Sequence, residues 1–247
     1  MQLYLIRHAQ SENNALYVRS GSFDGRSSDP RLSEVGHAQA KLLAQFLAQG
    51  DPEAKTDAHD AFNQRGFGIT HLYCSLLSRS IETALEISNA VNIPAVADCD
   101  LHEWGGVFEL VEGDKNHRGL PGPNREYFEQ NYPEIILPDS LDDEGWWNKP
   151  HEPKSAAFAR ANRLLEDLLT KHDGTDDSVA LVTHAGFFHS MLSMITEIPL
   201  APENDRWMTK VLFALNNAAI TRLSFYDRGT ILVYLNRVDF LPRELIT

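Results

Sequence analysis

Leu3-Tyr4-Leu5-Ile6-Arg7-His8-Ala9-Gln10-Ser11 begins as an unbroken apolar run and stops on a cation and an imidazole. A run that is apolar at every position reads as a strand buried on both faces, the pattern of a parallel sheet rather than of a half-exposed one. Ligands of open α/β sheets gather beyond the carboxyl ends of the strands, so Arg7 and His8 stand where an anion can be held and attacked. The guanidinium offers a planar fork of donors, and a neutral imidazole offers a nitrogen nucleophile. A surface turn after an edge strand would look the same locally, so the pair gains weight only from what the rest of the chain sets beside it.

Two further strands end in the same way. Val179-Ala180-Leu181-Val182-Thr183 is wholly small or apolar up to its last residue and runs into His184-Ala185-Gly186 and an apolar helix through Met191 and Ile195. Ile69 to Ser75 is followed by a helix carrying Arg79 near its start and Ile81, Ala84, Leu85 and Val91 on one face, with Pro94 as its stop. A helix opening near Ser33 shows Leu42, Leu43, Phe46 and Leu47, and another shows Phe158, Ala161, Leu165 and Leu168 with Ser155 as its expected N-cap. Near the end, Ala218 to Phe225 and Thr230 to Leu235 flank Asp227-Arg228-Gly229 as a hairpin. This order predicts a three-layer α/β/α sandwich with a mostly parallel central sheet and one antiparallel edge.

At 247 residues with 43% hydrophobic side chains, the expectation is one domain over 1–247, with insertions at about 50–68 and 104–153. The second insertion is punctuated by Gly105-Gly106, Pro121, Pro123, Pro133, Pro138 and Pro150, yet carries Trp146-Trp147, which predicts an ordered excursion serving as a substrate lid. A net charge of −13 disfavours nucleic acid and anionic membranes as partners, so a phosphate ligand needs a local basic pocket. Cys74 and Cys99 make no disulfide framework, and no basic, apolar leader precedes the first strand; the cytoplasm is the expected location.

Arg7, His8, Arg79 and His184 therefore lie at three strand ends that converge in a sheet of this kind, enough to neutralise a phosphate dianion and supply a nucleophile. At this point the chain resembles the histidine phosphatase superfamily, which includes the cofactor-dependent phosphoglycerate mutases. The resemblance runs through Arg7-His8-Ala9 with Ser11 and Asn14, Leu32-Ser33-Glu34-Val35-Gly36-His37-Ala38-Gln39-Ala40, and Ser75-Leu76-Leu77-Ser78-Arg79 through Thr83-Ala84. It continues in Leu101-His102-Glu103, Thr183-His184-Ala185-Gly186 and Asn217 to Thr221. It implies that His8 is phosphorylated, that Arg7, Arg79, His184 and Asn14 bind the phosphoryl group, and that Glu103 is the general acid and base, with His184 also counted as catalytic. Ser11, Gly106, Arg125 and Asn217 are candidate substrate-binding residues. No metal and no cofactor are called for, because the arginines supply the charge. The implied partner is a small phosphorylated substrate or a phosphoprotein, and the oligomeric state stays open.

Ala9 and Ala185 stand where many members of the family have glycine, and Trp104 follows Glu103 where the mutases have a basic residue. The second departure favours hydrolysis over mutase-type phosphoryl transfer, which stays open with a catalytically weak, phospho-ligand-binding scaffold. A cysteine-phosphatase reading of Cys74 and Arg79 fails on spacing, since four residues intervene where five are needed.

Overall fold

The computed structural model describes residues 1–57, 59–110, 117–141, 143–202 and 209–247. The chain runs β1 (Gln2–Arg7), α1 (Glu12–Ser20), α2 (Glu34–Leu47), β2 (His71–Cys74), α3 (Ser78–Val91) and β3 (Ala95–Ala97). It continues through β4 (Phe108–Glu109), β5 (Arg118–Gly119), α4 (Arg125–Asn131), α5 (Lys154–His172), β6 (Ser178–Thr183), α6 (Ala185–Thr196), β7 (Ile220–Tyr226) and β8 (Gly229–Arg237). The main sheet has six strands in the order β3-β2-β6-β1-β7-β8. The first four are mutually parallel; β7 lies antiparallel to β1, and β8 antiparallel to β7.

Alternation along the apolar strands divides the core. Tyr4 and Ile6 of β1 and Ala180 and Val182 of β6 pack on Ala40 and Leu43 of α2 and Ile81, Ala84 and Ile87 of α3. Leu3, Leu5, Val179 and Leu181 point the other way, onto Ala161, Leu164 and Leu168 of α5 and Phe187 and Met191 of α6. Both faces are thus covered, which is why these strands read as continuous hydrophobic runs. Truncating Leu5, Leu43 or Leu181 to alanine at such fully buried positions costs about 2–5 kcal/mol each.

The segment 50–68 has no helix or strand among its described residues, but it is tied down. Asn63 donates to the Tyr4 hydroxyl (2.9 Å) and accepts from the Tyr234 hydroxyl (2.8 Å), Arg222 donates to the Asp60 carbonyl (2.8 Å), and Phe67 is buried. The excursion is likewise packed. Ile136 exchanges backbone hydrogen bonds with Ala95 and Ala97 and so covers the β3 edge, which would otherwise offer free donors and acceptors. Trp146 and Trp147 are buried, with Trp147 edge-on to His102 at 4.6 Å between ring centres.

Three local features differ from the sequence expectation. Helix α1 buries none of its residues and therefore shows no apolar stripe. Strand β3 has only three residues, too few for a periodic signal. Both lie on segments without a pattern to read. The N-cap of α5 is Pro153, and Ser155 lies inside the helix. The hairpin forms the expected antiparallel edge, with β7 internal and β8 outside it.

Candidate active site

β6 lies between β1 and β2, so the three carboxyl ends that carry His8, Ser75 and His184 are adjacent. The register Arg7↔Thr183 puts His8 and His184 level, with ring centres 5.0 Å apart. His8 Nδ1 lies 2.7 Å from the Ala9 carbonyl, which can only accept, so the ring proton sits on Nδ1 and the Nε2 lone pair is free. Arg79 Nε donates to that lone pair at 3.1 Å. Burial, then the charges of Arg79 and Arg7, push the His8 pKa well below the ordinary histidine value, so the imidazole is neutral.

Arg7 donates Nη1 to the Leu215 carbonyl, while its buried Nε has no hydrogen-bond partner among the described residues. Burial and the neighbouring Arg79 lower its pKa to about 10, against the pull of Glu103, and it stays a cation at neutral pH. His184 is completely buried; its Nε2 meets the Ser75 hydroxyl at 2.7 Å and its Nδ1 has no hydrogen-bond partner among the described residues. Burial first, then Arg79 and His8, hold His184 neutral as well. With the Ser75 proton directed to Nε2, the His184 proton sits on Nδ1 as a spare donor. Asn14 accepts from Ser11 N–H (3.1 Å), the Ser11 hydroxyl (2.9 Å) and Asn217 Nδ2 (3.2 Å), and its own Nδ2 makes no hydrogen bond to a described residue.

Glu103 is partly buried and rests on the N-terminus of α6. Its Oε1 accepts from Trp104 N–H (2.8 Å) and Phe187 N–H (3.0 Å), and its Oε2 from Gly186 N–H (3.1 Å). The loop behind it is fixed by Arg160, which is paired bidentately with Glu152 (2.9 and 2.7 Å) and also donates to the carbonyls of Asp100 and His102.

The blocks around these groups act as braces. Gln39 accepts the Gln10 N–H at 2.7 Å, Ser33 donates to the Gln10 side chain at 2.7 Å, and a Cβ on Gly36 would lie 2.0 Å from the Gln10 carbonyl oxygen. The start of α2 can therefore clamp the loop after His8 only with glycine at 36. Asn217 donates to the His8 carbonyl (3.1 Å), and Thr83 accepts the Ala9 N–H (3.1 Å). Ala9 is not among the residues with positive φ, so the alanine sits there without strain.

Of the candidate substrate-binding residues, Ser11 is the N-cap of α1 and Asn217 a brace of the nucleophile loop. Gly106 is a packing position, since a Cβ there would lie 2.2 Å from the Trp147 ring. Arg125 is not brought to the pocket: it donates to the carbonyls of Leu141 (3.0 Å) and Pro138 (2.8 Å) and lies 3.5 Å from Glu129. Its donors hold the excursion together.

Two residues at the site were not read from the sequence. Asp29 accepts from Ser78 N–H (3.0 Å) and the Ser78 hydroxyl (2.8 Å) and lies 3.9 Å from Arg79, so it fixes the start of α3. Arg26 lies over the Phe108 ring at 4.5 Å, and its buried Nε has no hydrogen-bond partner among the described residues. Burial and Arg79 lower its pKa while Glu103 opposes them, so this third cation lies within electrostatic reach of Arg79 and Glu103. Both belong to the aperiodic loop between α1 and α2, where Asp-rich turns give no pattern to separate a site residue from a solvated one. Cys74, by contrast, is wholly buried and its thiol is pushed up by burial, as befits a core residue.

A neutral imidazole with a free nitrogen, set among guanidinium groups at the carboxyl edge of a parallel sheet, defines a class of enzymes that work on phosphate through histidine. Residues 3–238 match the histidine phosphatase superfamily (branch 1), and the chain belongs to that superfamily. It is 28% identical over 245 residues to a putative phosphoserine phosphatase 2 of Hydrogenobacter thermophilus, covering 96% of each chain. Among solved structures it is similar to a mycobacterial glucosyl-3-phosphoglycerate phosphatase (TM-score 0.58, 19% identity, 96% of this chain and 99% of that one). It is also similar to a phosphoserine phosphatase of Entamoeba histolytica (TM-score 0.56, 18% identity, 98% and 99%). These two likenesses establish the fold.

Proposed function

We propose that this protein is a phosphomonoesterase that works through phosphohistidine on His8. The observation that carries the reading is the Nδ1 to Ala9 carbonyl bond, which fixes the tautomer and leaves Nε2 as a lone pair facing Arg79. An incoming phosphoryl oxygen takes over the Arg79 donor, and Arg7, His184 Nδ1 and Asn14 Nδ2 supply further donors. Nε2 attacks phosphorus as the ester oxygen leaves, and Glu103 delivers the proton that oxygen needs. Glu103 then takes a proton from the water that cleaves the phosphorus–nitrogen bond, which releases phosphate and restores His8.

The substrate proposed is a small phosphorylated molecule, with O-phosphoserine as the first to try. The H. thermophilus relative, named for that activity, matches over 96% of the chain, and Trp104 after Glu103 disfavours a mutase. Arg26, from the loop between α1 and α2, and Phe108, from the excursion, act as the lid that selects the leaving group. Hydrolysis of p-nitrophenyl phosphate in the presence of chelator tests the mechanism. Turnover should survive the chelator and fall at least about 10³-fold in His8→Ala; activity persisting in that variant refutes the assignment.

A further inference from the structure

We propose a binding site for a divalent transition-metal ion at the edge of the sheet opposite the active site, formed by His71, His172 and Asp177. His71 opens β2, His172 closes α5 and Asp177 immediately precedes β6. The reactive groups lie at the other ends of β2 and β6, a strand length or roughly 13–20 Å away. Nothing in the proposed chemistry uses the three residues, so the inference is independent of that reading.

One carboxylate faces both imidazoles. His172 Nδ1 lies 2.9 Å from Asp177 Oδ2, and His71 Nδ1 lies 3.9 Å from Asp177 Oδ1. The rings stand edge to face with centres 4.6 Å apart, and one ligand atom from each of the three residues lies within 4.8 Å of the others. Two imidazole nitrogens and a carboxylate oxygen suit zinc and its first-row neighbours, and poorly suit magnesium or calcium, which want oxygen alone. Ligand atoms about 2.0–2.1 Å from a tetrahedral ion sit about 3.3 Å apart, so the cluster must close slightly. The His71 side chain, 40% exposed, is free to make that rotation.

The surroundings favour a cation. The carboxyl end of α5 contributes the negative end of its helix dipole at His172, and Asp173 and Asp176 flank the site, opposed by Lys171. The Thr70 hydroxyl lies 2.9 Å from His71 Nδ1, a contact given up when that nitrogen binds the ion, and 3.5 Å from Asp177 Oδ1, where it is placed to steady the carboxylate. A simple His–Asp hydrogen bond accounts for His172 and Asp177. It does not account for a second imidazole turned toward the same carboxylate.

The test uses the full chain, stripped with chelator and then titrated with Zn²⁺ by calorimetry and with Co²⁺ by visible absorption. The wild type should bind one equivalent more than either His71→Ala or Asp177→Asn, and the visible band of low-coordinate Co²⁺ should disappear in both variants. Turnover of p-nitrophenyl phosphate should remain within about twofold of wild type in each, since neither residue approaches the pocket. Both side chains are partly exposed, and a circular dichroism spectrum confirms that the variants fold. Equal Zn²⁺ stoichiometry in wild type and both variants overturns the proposal, because the ion then sits elsewhere, for example on the His8 and His184 pair or the His117 and His151 pair. A wild type that takes up no Zn²⁺ overturns it equally.

Discussion

Gly186→Ala tests whether the Glu103 carboxylate acts at the scissile bond, and it does so without altering a reacting group. A Cβ on Gly186 falls 2.6 Å from Glu103 Oε1, 3.3 Å from its Cδ and 3.3 Å from Trp104 Cβ. Ordinary contact begins at 3.4 Å, so the carboxylate must retreat by about 0.8 Å. That movement stretches the bonds from Gly186 N–H (3.1 Å) and Phe187 N–H (3.0 Å). Such charge-assisted bonds are worth about 1.5–3 kcal/mol each, but a flexible carboxylate can turn to water, and alanine gains about 1 kcal/mol of helix propensity over glycine. Stability should therefore change by less than about 2 kcal/mol. Activity should change more, because a misplacement of about 1 Å costs on the order of 10²-fold. The loss should appear where the departing oxygen needs a proton. For an alkyl phosphate, kcat/KM should fall about 10²-fold, or about 2.7 kcal/mol of transition-state stabilisation. For p-nitrophenyl phosphate, whose leaving group needs little help, the fall should be less than about tenfold. Steady-state kinetics on both substrates, with a denaturation curve to check the fold, decide the matter. Equal losses on the two substrates, or no loss on the alkyl ester, refute a role for Glu103 as proton donor.

Stability should depend on acid through the buried histidines. Burial and nearby cations hold His8, His102 and His184 well below the ordinary histidine value, whereas in the unfolded chain each titrates near 6.5. Below that pH the unfolded chain takes up protons that the folded chain refuses. Stability should therefore be level above about pH 6.5 and fall below it by about 1.4 kcal/mol per unit for each histidine, roughly 4 kcal/mol for the three. Urea midpoints at pH 7, 6 and 5 measure this, and a level profile contradicts it. Arg26→Ala should lower kcat/KM for O-phosphoserine about tenfold more than for O-phosphoethanolamine, which lacks the carboxylate, since one charge-assisted bond is worth about 1.5–3 kcal/mol. A parallel loss on both substrates would show that Arg26 serves the phosphate instead.

Arg7, His8 and His184 were legible because each stands at the end of an apolar strand, where a charged or titratable residue stands out: Arg7 and His8 after Ile6, and His184 after Thr183. Glu103 follows no such strand and was legible only through the family block Leu101-His102-Glu103. The braces were partly legible. Gly36 and Gln39 belong to a recognisable block, but that Gln39 holds Gln10 and that Gly36 must lack a side chain are facts about a contact between separate segments. Arg125 and Arg26 show the limit. Both are arginines in aperiodic stretches, and only the fold spends one on the carbonyls of Leu141 and Pro138 and leaves the other open beside Arg79. Helix α1 escaped notice because its cap pairs Ser11 with Asn14 rather than with glutamate, and because it has no buried stripe.

The place of β1 in the sheet bears on how the chain is made. Both partners of this first strand come late, with Gln2 paired to Ser178 on one side and to Ser224 on the other. At roughly 5–20 residues per second, a ribosome that has finished β1 needs about 10–35 s more to synthesise β6. Through that interval β1 has helices α2 and α3 to pack on but no native strand beside it, and pairing it closes a loop of more than 170 residues. Both hydrogen-bonding edges of β1 therefore stay open until β6 and then β7 have been made.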